Sequence, residues 1–496
     1  MGTKKFKPFP NNQIFNVYAE CDQTYNNLKN LPFIDKDSGN VNEAVTYCNV
    51  NIVTPKIQFH SNATLHIIGF GSRYYKKLSW SMKLGEKFMG RKAIKLRSLA
   101  GDPTLIREKL ATELYNAVGV PVQESTYARV IINDDVLGLY GFYDNLSSNW
   151  ISSYVHGDGK AKVGMTYKMY VDSVNFHYGL KNEGENPDFY RHYMIDEYDE
   201  EKYNKDDEMS MYKPLFTFVE RYEDWVNNYS NDPSENSVKK LEEFLNVEST
   251  LRMMAIDSLV VALDNFWLTG ANAALYYNPE KNIYQFLPYD FDLTFQVKDN
   301  IPTLAPNEAY MQDCETWTNY ADGPNNKANH YFTTNLLKHP LIKNRYEVIL
   351  AKASREPYNP DTVSKYIHAV ADLIRDDVEW NFDVSTSIQS NYEGKVNFYT
   401  KEHFEGNLDS KPVWAEDKSV IDNFKYGLLD FVKKRQQTCA TFTKDIDISF
   451  KENEFDKKRD DDNKDDENSG CEHSLNKKLS ILFITITQFI LLSVFF

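Results

Sequence analysis

The chain is short of what several functions require. Its five cysteines, Cys21, Cys48, Cys314, Cys439 and Cys471, include no CxxC pair and none spaced to a histidine as zinc ligands are, so a structural zinc site has no basis. Basic charge is scarce: 56 Lys and Arg face 72 Asp and Glu, a net charge of -16. The clustered cations that a phosphate backbone demands are therefore missing, and nucleic acid is not an expected partner. The opening MGTKKFKPFPNNQIF has basic residues but no apolar core, so it does not read as a secretory leader, and Phe6 stands where myristoylation wants Ser or Thr.

What the chain does have is 42% hydrophobic residues over 496 positions, enough for one large two-lobed domain or two ordinary ones with tails to spare. It ends on an uncharged run, Leu479 to Phe496, preceded by a spacer from Cys471 to Lys478 and by the small residues Asn468-Ser469-Gly470. That order is the pattern of a glycolipid (GPI) attachment signal with Asn468 or Ser469 as the attachment site; a tail anchor and a buried helix are the alternatives. A membrane partner and display on the outer face of the plasma membrane or cell wall follow. The absent leader conflicts with such display, and a misplaced or truncated start is the preferred explanation. Residues 452–470 form a charge run without hydrophobic spacing, a solvated stalk, and the acidic, Tyr-rich stretch from Asp196 to Glu208 reads as a surface insertion. If the chain is secreted, the four cysteines before the tail allow two disulfides in three connectivities. Cys21 with Cys48 and Cys314 with Cys439 is the pairing of lowest loop separation, and free thiols are the alternative. The expected divisions are an N-terminal segment (1–50), a strand-rich unit (51–155), a helical unit (156–450) with the acidic insertion near 180–210, the stalk (451–470) and the terminal signal (471–496).

From Ile57 to Leu84 apolar and β-branched residues alternate on either side of Gly69-Phe70-Gly71-Ser72-Arg73, which predicts a hairpin with a glycine turn. Gly69 and Gly71 would let backbone N–H groups approach a phosphate, with Arg73, Lys76 and Lys77 supplying charge; an ordinary glycine turn is the plainer reading. A short strand at Ala93–Arg97 directs Lys95 away from Ile94 and Leu96. Asp102 as N-cap and Pro103 at the first helical position open a helix that Gly119 closes, with Ile106, Leu110, Leu114 and Val118 on one stripe. Arg107 falls within that stripe, where it needs a carboxylate or phosphate partner unless it reaches back to solvent. Two strands, Thr126–Ile132 and Leu137–Tyr143, then form a hairpin.

In the second half, the run from Leu251 to Leu263 is apolar nearly all round and reads as a buried helix delivering Asp264-Asn265. Asn272 follows, then strands at 274–278 and 283–287, then Asp290-Phe291-Asp292. Two carboxylates at a strand end, with an aspartate and an asparagine upstream, make the oxygen-rich ligand set that magnesium prefers; turn and capping duty is the alternative. Helical stretches are expected near Val363–Asp377 and Val420–Lys434.

Four segments in this order, GFGSRYYKKLSW, IKLRSLAGDPTLIREKLATELYNAVGV, RVIINDDVLGLYGF and LDNFWLTGANAALYYNPEKNIYQFLPYDFDLTF, resemble the CotH (spore-coat protein H) family of atypical kinases across roughly residues 50–300. The resemblance implies an α+β, atypical two-lobed protein-kinase-like fold with a β-rich N-lobe and a mainly helical C-lobe, using ATP with Mg2+ or Mn2+ to phosphorylate proteins. By position it implies that Lys95 contacts the nucleotide phosphates and Glu108 orients it, with Arg107 nearby and Glu113 as a rival partner. It likewise implies that Asp264 is the catalytic aspartate, that Asn272 and Asp290 bind the metal, and that Asp292 assists. Unlike ordinary protein kinases, the chain has no His-Arg before Asp264, a wider Asp-to-Asn spacing and no glycine after Phe291. Fungal relatives that bind host receptors give the alternative: a catalytically silent surface adhesin on the same scaffold.

Overall fold

The computed structural model describes residues 2–170, 179–297, 308–320, 330–409 and 424–448; the run 479–496, Asn468 and Ser469 lie outside them. The first part is strand-rich: β1 (Ile14–Cys21), α1 (Thr24–Asn30), β2 (Phe33–Asp35), β3 (Asn40–Val41), β4 (Thr46–Thr54), β5 (Ile57–Ile67), β6 (Trp80–Phe88), β7 (Arg91–Arg97), α2 (Arg107–Ala117), β8 (Ser125–Ile132) and β9 (Asp135–Asp144). Seven of these strands close into a barrel in the order β1-β4-β5-β6-β7-β9-β8, the parallel pairing of β1 with β8 sealing it. Period-2 alternation drives the closure: Val50 and Ile52, Leu65 and Ile67, Trp80 and Met82, Ile94 and Leu96, Val130 and Ile132 all point into one buried core. Residues 1–50, expected to form a separate segment, instead supply β1 and part of β4 to the barrel wall.

The second part is mainly helical: α3 (Ser148–Trp150), β10 (Met165–Met169), β11 (Tyr193–Ile195), α4 (Glu208–Tyr229), α5 (Glu235–Glu242), α6 (Val247–Val260), α7 (Phe266–Thr269), β12 (Ala273–Asn278), β13 (Ile283–Pro288), α8 (Tyr331–Lys338), α9 (Pro340–Arg355), α10 (Pro360–Ser387), α11 (Lys401–Leu408) and α12 (Leu428–Phe442). Its four strands form a sheet ordered β11-β10-β12-β13, so the fold is α+β. The edge strand β11 thus lies within the insertion expected near 180–210, immediately before the acidic, Tyr-rich stretch that starts at Asp196. The long helix α10 ties the two parts together. Its Asp377 receives two hydrogen bonds from Arg129 of β8, at 2.6 and 2.7 Å, and its Asn381 accepts from the Leu139 amide of β9 at 2.8 Å.

Both disulfides of the shortest-loop pairing are present, Cys21–Cys48 across the registered β1–β4 pair and Cys314–Cys439 onto α12. The start of α2 differs from the expectation. Leu105 takes a left-handed φ of 59°, which stops a helix from running through Pro103, and the first turn begins at Arg107. Asp102 still caps it from a distance, its carboxylate accepting from the amides of Ile106 and Arg107, each at 2.9 Å. Gly119, at φ 83°, closes the helix as expected. Among the described residues no helix is long and apolar enough to cross a membrane.

Candidate active site

Strand alternation along β7 buries Ile94 and Leu96 in the barrel and turns Lys95 and Arg97 to its outer side, toward α2 and the loops that follow α6 and β13. Arg97, 8% exposed, is the hub of the site. Its Nε donates to Glu108 Oε2 at 3.2 Å, and Nη1 and Nη2 together grip both oxygens of Asp290, Nη1 at 3.0 Å from Oδ2. Asp292 Oδ2 lies 3.5 Å from the same Nη2. The fork of a guanidinium fits two carboxylate oxygens at once, which an ammonium cannot do.

The acidic side is positioned by two loops. Helix α6 ends with Val261 left-handed at φ 48°, and the chain turns out of the core to present Asp264. Asn272, also left-handed at φ 47°, donates Nδ2 to the Asp264 carbonyl at 2.8 Å and to its carboxylate at 3.0 Å. Asn265 donates to the carbonyls of Tyr289 and Asp290, at 3.1 and 3.2 Å, and so stitches the loop after α6 to the loop after β13. Asp290 itself is left-handed at φ 59°, a conformation costly for a residue with a Cβ and typical of functional positions.

Carboxylates crowded into this space disfavour one another's charge. Burial first, and Asp290 second, push the Asp264 carboxyl up to about 7, against the Asn272 hydrogen bond. Asp292 is also raised. Desolvation leads and the Asp290 charge adds to it, although half of the Asp292 side chain is open to solvent. Burial raises Glu108 against the pull of Arg97. Lys95 lies over the Tyr289 ring, 5.6 Å from its centroid, and burial followed by the Lys168 charge lowers its ammonium to about 8.

Two expected roles change. Glu108 meets Arg97 rather than Lys95, and Glu113 meets Lys109 at 3.5 Å, so among the described residues neither glutamate pairs with the strand lysine. Two of the three cations of the glycine turn, Arg73 and Lys77, are held elsewhere. Arg73 donates to the carbonyls of Gly69, Pro32, Asn42 and Ile67 at 2.7–3.1 Å, and Lys77 to Leu139 O and Asn381 Oδ1, both at 2.7 Å. Both are buried structural pins. A 3-10 turn from Gly71 to Tyr74 occupies the loop, and Gly69, at φ 75°, has no room for a Cβ beside Ser72 Oγ. Arg107 is 1% exposed, pairs with Asp102 and lies over Phe424 at 3.9 Å, while its Nε and Nη2 find no hydrogen-bond partner among the described residues.

Asp290, Asp292, Asp264 and Asn272 carry the kind of oxygen atoms that a hard divalent cation takes. The set is closed on Arg97, and among the described residues no group of three or more His, Cys, Asp or Glu is spaced to hold a metal ion.

Invasin CotH2 of Rhizopus delemar is 26% identical over 448 residues, covering 88% of this chain and 68% of the relative. Invasin CotH3 of the same fungus is 26% identical over 453 residues, covering 89% and 68%, and its spore coat protein homolog 1 is 23% identical over 367 residues, covering 73% and 54%. The profile of the CotH kinase protein family matches residues 65–410, from β5 to just past α11 and through every residue of the Arg97 cluster, and the chain belongs to that family.

Proposed function

We propose that the protein is an ATP-dependent protein kinase of atypical, two-lobed design, in which the barrel and the helical part act as lobes and the γ-phosphate passes to a Ser or Thr of a secreted or cell-surface protein. The observation that carries this reading is the meeting of the outward cations of β7 with the carboxylates that follow α6 and β13. Lys95 neutralises nucleotide phosphate, and Asp264, steadied by Asn272, accepts the proton of the attacking hydroxyl. Asp290, Asp292 and Asn272 are the residues that would hold magnesium or manganese, which when bound would offset the charge of the transferring phosphoryl group. Glu108 acts through Arg97: by drawing the guanidinium toward α2 it governs how tightly Asp290 is covered.

Display outside the cell is supported by the two disulfides, which persist in oxidising compartments, and by the terminal segment that reads as an anchor signal. The test is transfer of radiolabelled phosphate from ATP with magnesium or manganese, on protein made through a secretory pathway, beside Asp290→Ala. Incorporation that disappears in the variant is expected; absence of both transfer and metal-dependent ATP binding would overturn the reading. A second reading, a silent surface adhesin, is favoured by the closure of Arg97 over both Asp290 oxygens and by the invasin names of the relatives. It predicts that Asp290→Ala binds cultured host cells as well as the unaltered protein does.

A further inference from the structure

We infer that Lys168 and the Tyr289 hydroxyl complete, with Lys95, a subsite for a phosphoryl group; its assignment to the nucleotide rests on the kinase reading, its existence does not. In the glycine turn Arg73 and Lys77 are committed to carbonyls, and the sheet of the helical part brings a second cation close to Lys95. Lys168 on β10 is in register with Ala274 on β12, which is in register with Leu287 on β13. Alternation carries that face on to Tyr289, and Ala274, Leu287 and Tyr289 pack in one buried cluster with Phe6, Trp150 and Tyr154.

The ammonium groups of Lys95 and Lys168, from different strands in different sheets, stand 5.6 and 5.9 Å from the centroid of the same Tyr289 ring. Two cations brought to one ring repel each other unless an anion joins them. Tyr289 is 6% exposed, yet its hydroxyl has no hydrogen-bond partner among the described residues. A buried hydroxyl without a partner is rare, and a phosphate oxygen supplies the acceptor it lacks. Lys168 rests meanwhile on Asp196 at 2.8 Å, whose Oδ2 is itself buried without a hydrogen bond. Asp196 is thus a counter-ion that an arriving phosphoryl group displaces. The ligand chemistry is a phosphoryl group carrying negative charge, with the nucleotide and a phosphorylated side chain as its two sources.

Isothermal titration of the whole protein with ATP, tripolyphosphate, adenosine and a phosphoserine peptide, in EDTA and again in magnesium, tests this. Lys168→Met is expected to weaken ATP and tripolyphosphate about tenfold and Tyr289→Phe about threefold, with adenosine unchanged. Asp196→Asn is expected to tighten both, an opposite sign that loss of folding cannot imitate. If Lys168→Met binds ATP within twofold of the unaltered protein, the subsite is refuted while the kinase reading stands. If tripolyphosphate binding depends on Lys168 but no phosphate is transferred, the subsite holds and the kinase reading falls. A phosphoserine peptide that outcompetes ATP for Lys168 would assign the subsite to the phosphorylated protein, overturning its assignment to the nucleotide.

Discussion

At the scale of the residue, the site depends on one guanidinium. Arg97 faces Glu108, Asp290 and Asp292 together, so its loss leaves three carboxylates turned toward one another in a cleft. Arg97→Ala should therefore cost about 2–4 kcal/mol of unfolding free energy, toward the low end for a broken buried pair because Asp292 is half open. Arg97→Lys should recover only part, since an ammonium cannot span both Asp290 oxygens. Urea denaturation measures both, and a loss under about 1 kcal/mol for Arg97→Ala would show that the hub does not hold the site together. Alternation along β7 made Arg97 legible, since it falls on the face of Lys95, yet attention to the lysine alone missed it. Its partner Asp290 lies 193 residues away and no local pattern connects them. Arg73 shows the converse: a cation in a glycine turn reads as a phosphate ligand, because the carbonyls of Pro32 and Asn42 that claim it become neighbours only after folding.

At the scale of the element, α2 is the part that senses the site. Glu108 on its first turn reaches Arg97, and Tyr115 two turns later stacks on Phe291, with ring centroids 4.6 Å apart and planes 22° apart. The Tyr115 hydroxyl donates to Asp257 of α6, whose other carboxylate oxygen accepts the Trp267 amide at 3.1 Å. One side chain thus connects α2, α6 and the residue between the two site aspartates. Tyr115→Phe keeps the stack and loses one hydrogen bond, so it should cost about 1–2 kcal/mol and leave the proposed phosphate transfer nearly intact. Tyr115→Ala removes the ring beneath Phe291 and should cost about 3–5 kcal/mol, with a fall in kcat that stabilising osmolytes do not restore. Equal kcat for the two variants, measured under folded conditions, would sever α2 from the site. The existence of α2 was plain from its apolar stripe and closing glycine. Its first turn was not, because the left-handed Leu105 that delays it has no signature in sequence.

At the scale of the molecule, the strand-rich and helical halves were legible from periodicity, but barrel closure was not. The β1–β8 contact that seals the barrel joins strands more than a hundred residues apart, and nothing local marks Ile14–Cys21 as its missing stave. The covalent frame was clearer, since pairing cysteines by shortest loop gives the two bonds found. They are unequal in consequence. Cys21–Cys48 closes a separation of 27 residues between strands that hydrogen bonds already register, while Cys314–Cys439 closes 125. The longer bond also finishes a clasp. Arg435, fully buried on α12, donates to the carbonyls of Ser258, Tyr310 and Asp313 at 2.9–3.0 Å, and Cys439 one turn later is bonded to the residue after Asp313. Loop-closure entropy alone assigns about 5 kcal/mol to the long bond and about 3.5 kcal/mol to the short one. Replacing Cys314 and Cys439 together by Ser should therefore lower Tm further than replacing Cys21 and Cys48. It should also loosen α6, which Arg435 holds through Ser258, so that amide exchange rises at the end of α6 nearest Asp264 while the barrel strands stay protected. Equal losses of Tm, or exchange rising in the barrel first, would mean that the C-terminal helix does not brace the site from behind.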